Sequence, residues 1–184
     1  NGSPRKKNNT ATILRKVLEG GASEGAEIKF VNLFEHNFSG CTSCFACKRI
    51  DSPSYGKCMI SDDLKSIFHA ISISDVLIIG TPVYFGQLPG ALMNFYERFL
   101  FPQFQYDPEN YSLFDQKLET AFVYTMNVPA ENMEAYGYPQ SFNNYQLLCD
   151  RLTGNQSETL FVNNTYQFDD YSKYYMKMFK EEDK

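Results

Sequence analysis

The chain has 184 residues, 43% of them hydrophobic, which is enough for a single domain over 1–184 with a sizeable buried core. A net charge of −5 leaves no basic footprint for nucleic acid or for an anionic membrane surface. No apolar run reaches the roughly 18 residues of a membrane span and no signal-peptide pattern opens the chain, so the expectation is a cytoplasmic protein without membrane partners.

The opening stretch, Asn1-Gly2-Ser3-Pro4-Arg5-Lys6-Lys7-Asn8-Asn9-Thr10, runs into a helical pattern in which Ile13, Leu14, Val17 and Leu18 share one face. Gly2 permits a tight backbone path, Ser3 and Thr10 offer hydroxyls, and Arg5 can fork onto an anion. Backbone N–H groups at a helix start, with the positive end of the dipole behind them, form an anion site. The stretch lacks both the Lys-Ser/Thr ending of a nucleotide-hydrolysing loop and the three-glycine dinucleotide fingerprint. It reads as a phosphate loop of another type, or more plainly as a polar loop capping a helix. Such a loop hangs from the end of a central strand. Here none precedes it, and the first strand is expected to be missing from the chain.

Glu19-Gly20-Gly21 breaks the helical pattern, and Ala26 to Val31 alternates as a half-wet edge strand. Three of the five cysteines, Cys41, Cys44 and Cys47, follow in a C-x2-C-x2-C run, with ten residues separating Cys47 from Cys58. Cysteines so clustered suit redox or metal chemistry in a reducing compartment better than a disulfide scaffold. The run brings three thiolates close enough for one 4Fe–4S cubane, and Cys58 is a candidate fourth ligand. Free thiols, zinc and disulfide chemistry stay open beside it. Ser61-Asp62-Asp63 starts a helix with a cap and two acids against the dipole, and Leu64, Ile67, Phe68 and Ile71 form its core face. His36 and His69 are the only histidines, which argues against a histidine metal site or a Ser-His triad. Both are expected at the surface.

Asp75 to Gly80 is a continuous apolar run, the mark of a strand buried on both faces of a parallel sheet. It leads through Thr81-Pro82-Val83-Tyr84-Phe85-Gly86-Gln87 into a helix with Pro89 in its first turn, whose Leu88, Leu92, Phe95, Tyr96 and Phe99 lie on one face. Residues 101–116 read as a surface insertion. Leu118 to Met126 is the next strand, ending in Thr125-Met126-Asn127, and Val128 to Tyr138 is either a lid over the site or a mobile loop. Phe142, Tyr145, Leu148, Cys149 and Leu152 mark a helix face stopped by Gly154, with Cys149 in the core. Glu158 to Val162 is the last strand, and a final helix is expected over 170–180. Strands and helices alternating with short connections specify a parallel sheet with helices on both faces.

The Gly2-Ser3-Pro4-Arg5 loop followed by Asn9-Thr10, together with Pro82-Val83-Tyr84-Phe85-Gly86 leading into a helix that ends at Glu97-Arg98, resembles the NADPH-dependent FMN reductase and iron–sulfur flavoprotein family. Glu97 stands where that family commonly has Asp. The resemblance covers residues 1–126. It implies a flavodoxin-like α/β three-layer sandwich with a five-stranded parallel sheet of order 2-1-3-4-5, in which the loops after strands 1 and 3 meet at the topological switch point. It implies FMN, with the ribityl phosphate held by Ser3, Arg5, Asn9, Thr10 and Ala11. The ring would be lined by Pro82, Val83, Tyr84, Phe85 and Gly86, with Thr125 and Asn127 at its other edge. The activity implied is electron transfer from NAD(P)H through FMN to a small acceptor such as a quinone or flavin, in a homodimer or homotetramer. No catalytic acid or base is needed, because the cofactor carries the chemistry. The competing readings are an electron carrier, either flavodoxin-type or with a 4Fe–4S cluster on Cys41, Cys44, Cys47 and Cys58, and a flavin-free binding module.

Overall fold

The computed structural model describes residues 1–115 and 117–175. Seven regular elements alternate: α1 (Asn9–Ser23), α2 (Leu64–Ile71), β1 (Val76–Pro82), α3 (Gly90–Leu100), β2 (Glu119–Thr125), α4 (Tyr138–Thr153) and β3 (Glu158–Val162). The three strands form one parallel sheet in the order β1-β2-β3, with Gly80 opposite Val123 and Val123 opposite Leu160. Parallel neighbours need a helical crossover, and α3 and α4 supply the two.

The period of two along β1 and β2 divides the core. Ile79, Phe122 and Tyr124 join the buried faces of α2, α3 and α4, including Leu64, Ile67, Leu92, Phe95, Tyr96, Phe99, Phe142, Cys149 and Leu152. The rings of Phe68, Phe95 and Phe99 stack between α2 and α3, and Tyr124 stacks on Phe142 at 4.3 Å. On the opposite face α1 packs against β1 and β2. Gly80 makes that packing close: a Cβ at this position would lie 2.5 Å from Leu14 Cδ1. Such proximity excludes any larger residue unless the Leu14 side chain or its helix shifts.

Residues 26–31 run extended but form no strand of the sheet, contrary to expectation. The neighbour that the order 2-1-3 assigns them is the strand ahead of the first loop, of which the chain holds only Asn1 and Gly2. Those two residues make the ladder bonds open to them. Asn1 N donates to Val31 O at 2.7 Å, Leu33 N donates to Asn1 O at 3.0 Å, and Gly2 N donates to Gly80 O at 2.8 Å. The lateral order 26–33, 1–2, β1, β2, β3 is therefore that of a flavodoxin-like sheet.

Helix α1 also departs from expectation by running through Gly20 and Gly21 to Ser23. Each glycine costs about 1 kcal/mol in a helix, less than the burial of Ala11 and Leu14 gains. The helix ends at Gly25 (φ 89°), where Ala26 N donates to Gly21 O and Gly25 N to Ala22 O. This pair of bonds is the Schellman ending.

The segment 101–116 is not a loose insertion at its base. Leu113 N donates to Gln103 O and Gln105 N to Tyr111 O, both at 2.8 Å, and Pro102 is buried. Its tip, 106–110, is exposed. Residues 128–138 are likewise packed rather than free: Asn163 Nδ2 donates to Val128 O at 2.9 Å, and Met133 is buried. His69 is exposed as expected, whereas His36 is half-buried with Nδ1 4.0 Å from Asp63 Oδ2. A three-residue helical turn at Tyr171–Lys173 is all that 170–175 forms of the expected last helix. The rest of that helix lies outside the described residues.

Candidate functional site

The C-terminal edge of the sheet gathers the loops after Gly2, after β1 and after β2. Thr10 and Thr125, 115 positions apart, share a buried hydroxyl–hydroxyl hydrogen bond of 2.6 Å. Thr125 Oγ1 also donates toward Thr81 O at 3.4 Å, and Val83 N donates to Thr125 O at 3.1 Å. The first, second and third loops are thus tied through one threonine, and the residues expected at each come together on this edge.

In the first loop Ser3 is buried; its N–H meets Asn1 Oδ1 at 3.1 Å and its Oγ accepts from Arg5 N at 3.2 Å. These bonds curl the backbone toward the start of α1. At that start Asn8 offers no side-chain cap, and the first turn holds no acidic residue. The opening N–H groups of α1 therefore face the loop with their dipole uncompensated by any side chain named there, the arrangement an anion needs. Ala11 is fully buried.

The second loop is a tight reversal. Tyr84 N donates to Gln87 O at 3.0 Å and Gln87 N to Tyr84 O at 2.9 Å, with Phe85 (φ 52°) and Gly86 (φ 72°) both left-handed between them. Two positive φ values in succession define the I′ turn. Glycine takes this geometry freely, while Phe85 holds it at a cost of order 1 kcal/mol or more and is fully exposed at the tip. A Cβ on Gly86 would sit 3.1 Å from the Tyr138 ring. Tyr145 Oη donates to Gln87 Oε1 at 2.6 Å, fixing the turn against α4.

A fourth participant was not legible in the sequence. Residues 163–171 cross the edge as a strap: Thr165 N donates to Met126 O at 3.0 Å and Asn127 Nδ2 to Thr165 O at 3.3 Å. Asn9 Nδ2 donates to Tyr166 O at 2.9 Å, and Arg5 Nη1 to Gln167 O. Main-chain carbonyls thus engage two of the side chains expected at the phosphate, those of Arg5 and Asn9. Any residue can supply a carbonyl, so no sequence signal marks this contact.

The cysteine loop lies apart, against α3. Its chain passes through left-handed backbone at Ser43 (φ 53°) and Phe45 (φ 55°), and Cys41, Cys44, Cys47 and Cys58 line one cavity of about 20 Å³. Arg98, 2% exposed, anchors the loop. It forks onto Asp62, with Nη2 3.0 Å from Oδ1, and donates to Ser39 O at 2.9 Å, Ile60 O at 3.3 Å and Cys58 Sγ at 3.3 Å. Lys48 Nζ donates to three carbonyls just beyond the end of α3, those of Phe101, Pro102 and Phe104. Burial pushes the Cys47 thiol up, partly offset by Lys48. The enclosed space is the room of a single water, and among the described residues no three His, Cys, Asp or Glu side chains converge as metal ligands would. As folded here, the loop does not fit a cubane. Cys149 is buried in the core, and burial pushes its thiol up to about 11.

Between α3 and α4 runs a groove of about 710 Å³ lined by Tyr96, Glu97, Phe104, Tyr111, Tyr145 and Leu148 among others.

Three loops converging on one edge of a parallel sheet clad by helices on both faces define a flavodoxin-like α/β protein. The chain belongs to the NADPH-dependent FMN reductase family, whose model matches residues 1–128. It is 36% identical over 97 residues to an iron–sulfur flavoprotein of Methanocaldococcus jannaschii, a match covering 53% of this chain and 48% of that protein. An iron–sulfur flavoprotein of Archaeoglobus fulgidus is 32% identical over 98 residues, covering 53% of this chain and 45% of its own. The match spans about half the length of these curated relatives. Among solved structures, an NAD(P)H:quinone oxidoreductase from Methanothermobacter marburgensis superposes with a TM-score of 0.67 at 17% identity, covering 92% of this chain and 84% of that one. An FMN-dependent NADH-azoreductase from Bacillus anthracis, solved with FMN, gives 0.63 at 12% identity, covering 90% and 84%. At these identities the superpositions establish the fold. No described helix is long and apolar enough to cross a membrane.

Proposed function

We propose that the chain is an FMN-dependent oxidoreductase that takes electrons from NAD(P)H and delivers them to a small acceptor, a quinone or a flavin. The observation that carries this reading is the Thr10–Thr125 bond of 2.6 Å, which locks the anion loop beside the second and third loops. The first loop holds the ribityl phosphate through Ser3, Arg5, Asn9, Thr10 and the Ala11 backbone. Pro82, Val83, Tyr84, Phe85 and Gly86 line the isoalloxazine, with Thr125 and Asn127 at its far edge. Backbone N–H groups of the I′ turn give that ring a polar rim, and the Tyr84 and Phe85 side chains give it apolar cover.

Bound FMN supplies hydride acceptance from nicotinamide and onward transfer of one or two electrons. The protein's share is placement. Arg5 orients an anionic oxygen through its planar fork, and the start of α1 holds the charge. No side chain of the three loops is assigned a proton. The four-cysteine electron-carrier alternative draws on the names of the relatives. The water-sized cavity favours the reductase reading over it.

The α3–α4 groove, with Leu147 and Leu148 exposed beside it, is the surface we assign to a second copy in a homodimer, or a homotetramer built on it. A single domain over 1–184 and a cytoplasmic setting complete the proposal. Equilibrium dialysis against FMN, followed by NAD(P)H oxidation with an added quinone, tests it. Stoichiometric flavin and quinone-dependent turnover are expected. Flavin binding without turnover would leave an electron carrier, and no flavin binding would end the reading.

A further inference from the structure

The turn after β1 is held from outside its own loop. Its internal bonds engage the N–H groups of Tyr84 and Gln87, each donating to the other's carbonyl. The N–H groups of Phe85 and Gly86 take no partner among the described residues, so the turn presents two adjacent main-chain donors. Their direction is fixed only as firmly as the turn itself. Phe85 holds a left-handed φ of 52° that a side chain disfavours, at a cost of the same order as the net worth of one hydrogen bond. A turn under that strain needs a tether, and α4 supplies it. The Tyr138 ring lies against Gly86, 3.1 Å from where a Cβ would stand. Tyr145 Oη donates to Gln87 Oε1 at 2.6 Å. Burial pushes the Tyr145 hydroxyl up, which keeps it a donor. Tyr145 is in turn fixed by α3: Tyr96 Oη donates to its carbonyl, and the two rings meet edge to face at 6.2 Å. Tyr96 is buried, so this chain of contacts runs from the core to the turn. Tyr138 and Tyr145 both lie beyond residues 1–128, which the family model matches.

We propose that Tyr145 is a positioning residue for bound FMN: through Gln87 it fixes the Phe85 and Gly86 N–H groups at the ring rim, and so tunes the cofactor's reduction potential. This role rests on the FMN site proposed above. The isoalloxazine gains electron density on reduction, so donors held at its rim favour the reduced form over the oxidised one. The phosphate, gripped by the first loop, does not depend on Tyr145.

Full-length wild type, Tyr145→Phe, Gln87→Ala and the double variant are each saturated with FMN. The midpoint potential of the bound flavin is measured by anaerobic titration against redox dyes, beside the thermal midpoint of each protein. Tyr145→Phe keeps the ring in place and removes only the hydroxyl. It should weaken reduced FMN about fivefold more than oxidised FMN, the effect of one hydrogen bond. The potential then falls by about 20 mV for a two-electron couple. Gln87→Ala should give the same fall, and the double variant no more than either alone, because both act through one bond. A potential unmoved by Tyr145→Phe, with or without a lowered thermal midpoint, would overturn the role and leave the flavin site standing. Shifts that add in the double variant would overturn it as well. Wild type that takes up no FMN would end the flavin reading, and this role with it.

Discussion

At Arg98 a carboxylate, two carbonyls and a sulfur converge on one buried guanidinium, which joins α3 to the start of α2 and to the cysteine loop. Burial alone would push the Asp62 carboxyl up. The Arg98 fork and the N–H groups of Ser39 and Leu64 outweigh it and hold the carboxyl below its usual range. A folded value below the unfolded one means the contribution is fully present above the unfolded value near 3.9. It is then lost as pH falls through the lower folded value. Urea unfolding measured down a pH series should show stability dropping below about pH 4. Asp62→Asn should flatten that drop and cost about 3–5 kcal/mol at neutral pH, because it strands a buried charge. Arg5 is the opposite case, an exposed guanidinium with one carbonyl partner in the strap. Arg5→Ala should leave the melting curve nearly unmoved while weakening FMN binding by about 1.5–3 kcal/mol, the worth of a hydrogen bond to a charged group. Unaltered FMN affinity in a dialysis titration would take Arg5 out of the anion site.

Among the elements, α1 is the one most exposed to a single small change. Leu14 rests on Gly80 so closely that Gly80→Ala must displace the Leu14 side chain or the helix that carries it. Overpacking of this kind costs about 1–3 kcal/mol. The same shift strains the Thr10–Thr125 bond, so flavin affinity should fall together with the thermal midpoint. A lowered midpoint with affinity intact would show that α1 carries the anion loop less rigidly than its bonds suggest. The sequence pattern of α1 was readable in Leu14 and its neighbours, but its end was not. Gly20 and Gly21 look like a stop because glycine disfavours helix, and only the placement of Gly25 beyond them reveals the true one. The strand expected at 26–31 failed for a different reason. Its alternation is real, but a ladder needs a neighbour, and among the described residues the bonds to this segment on that side come from Asn1.

Across the whole molecule, what the sequence made legible was chemistry carried by residue type: the hydroxyls and arginine of the first loop, the glycine turn after β1, the cysteine run. Each is local, so its meaning survives without coordinates. What it hid was contact made by main chain. The carbonyls of Tyr166 and Gln167 have no residue signature, and the sequence held only an aromatic tail where the structure has a strap. The Asp62–Arg98 pair was hidden for a related reason, since Asp62 read as a helix cap and Arg98 as the end of a motif. That strap ties late segments of the chain to early ones through Asn9 and Arg5. A guanidinium with five donors can serve a carbonyl and an anion at once, so occupancy of the pocket should immobilise Arg5 and, with it, the segment it holds. Digestion by a nonspecific protease will then report ligand capture from a distance: scission within 163–171 should slow as FMN, or even inorganic phosphate, is added. A digestion rate indifferent to both would mean the two ends of the chain touch without speaking to each other.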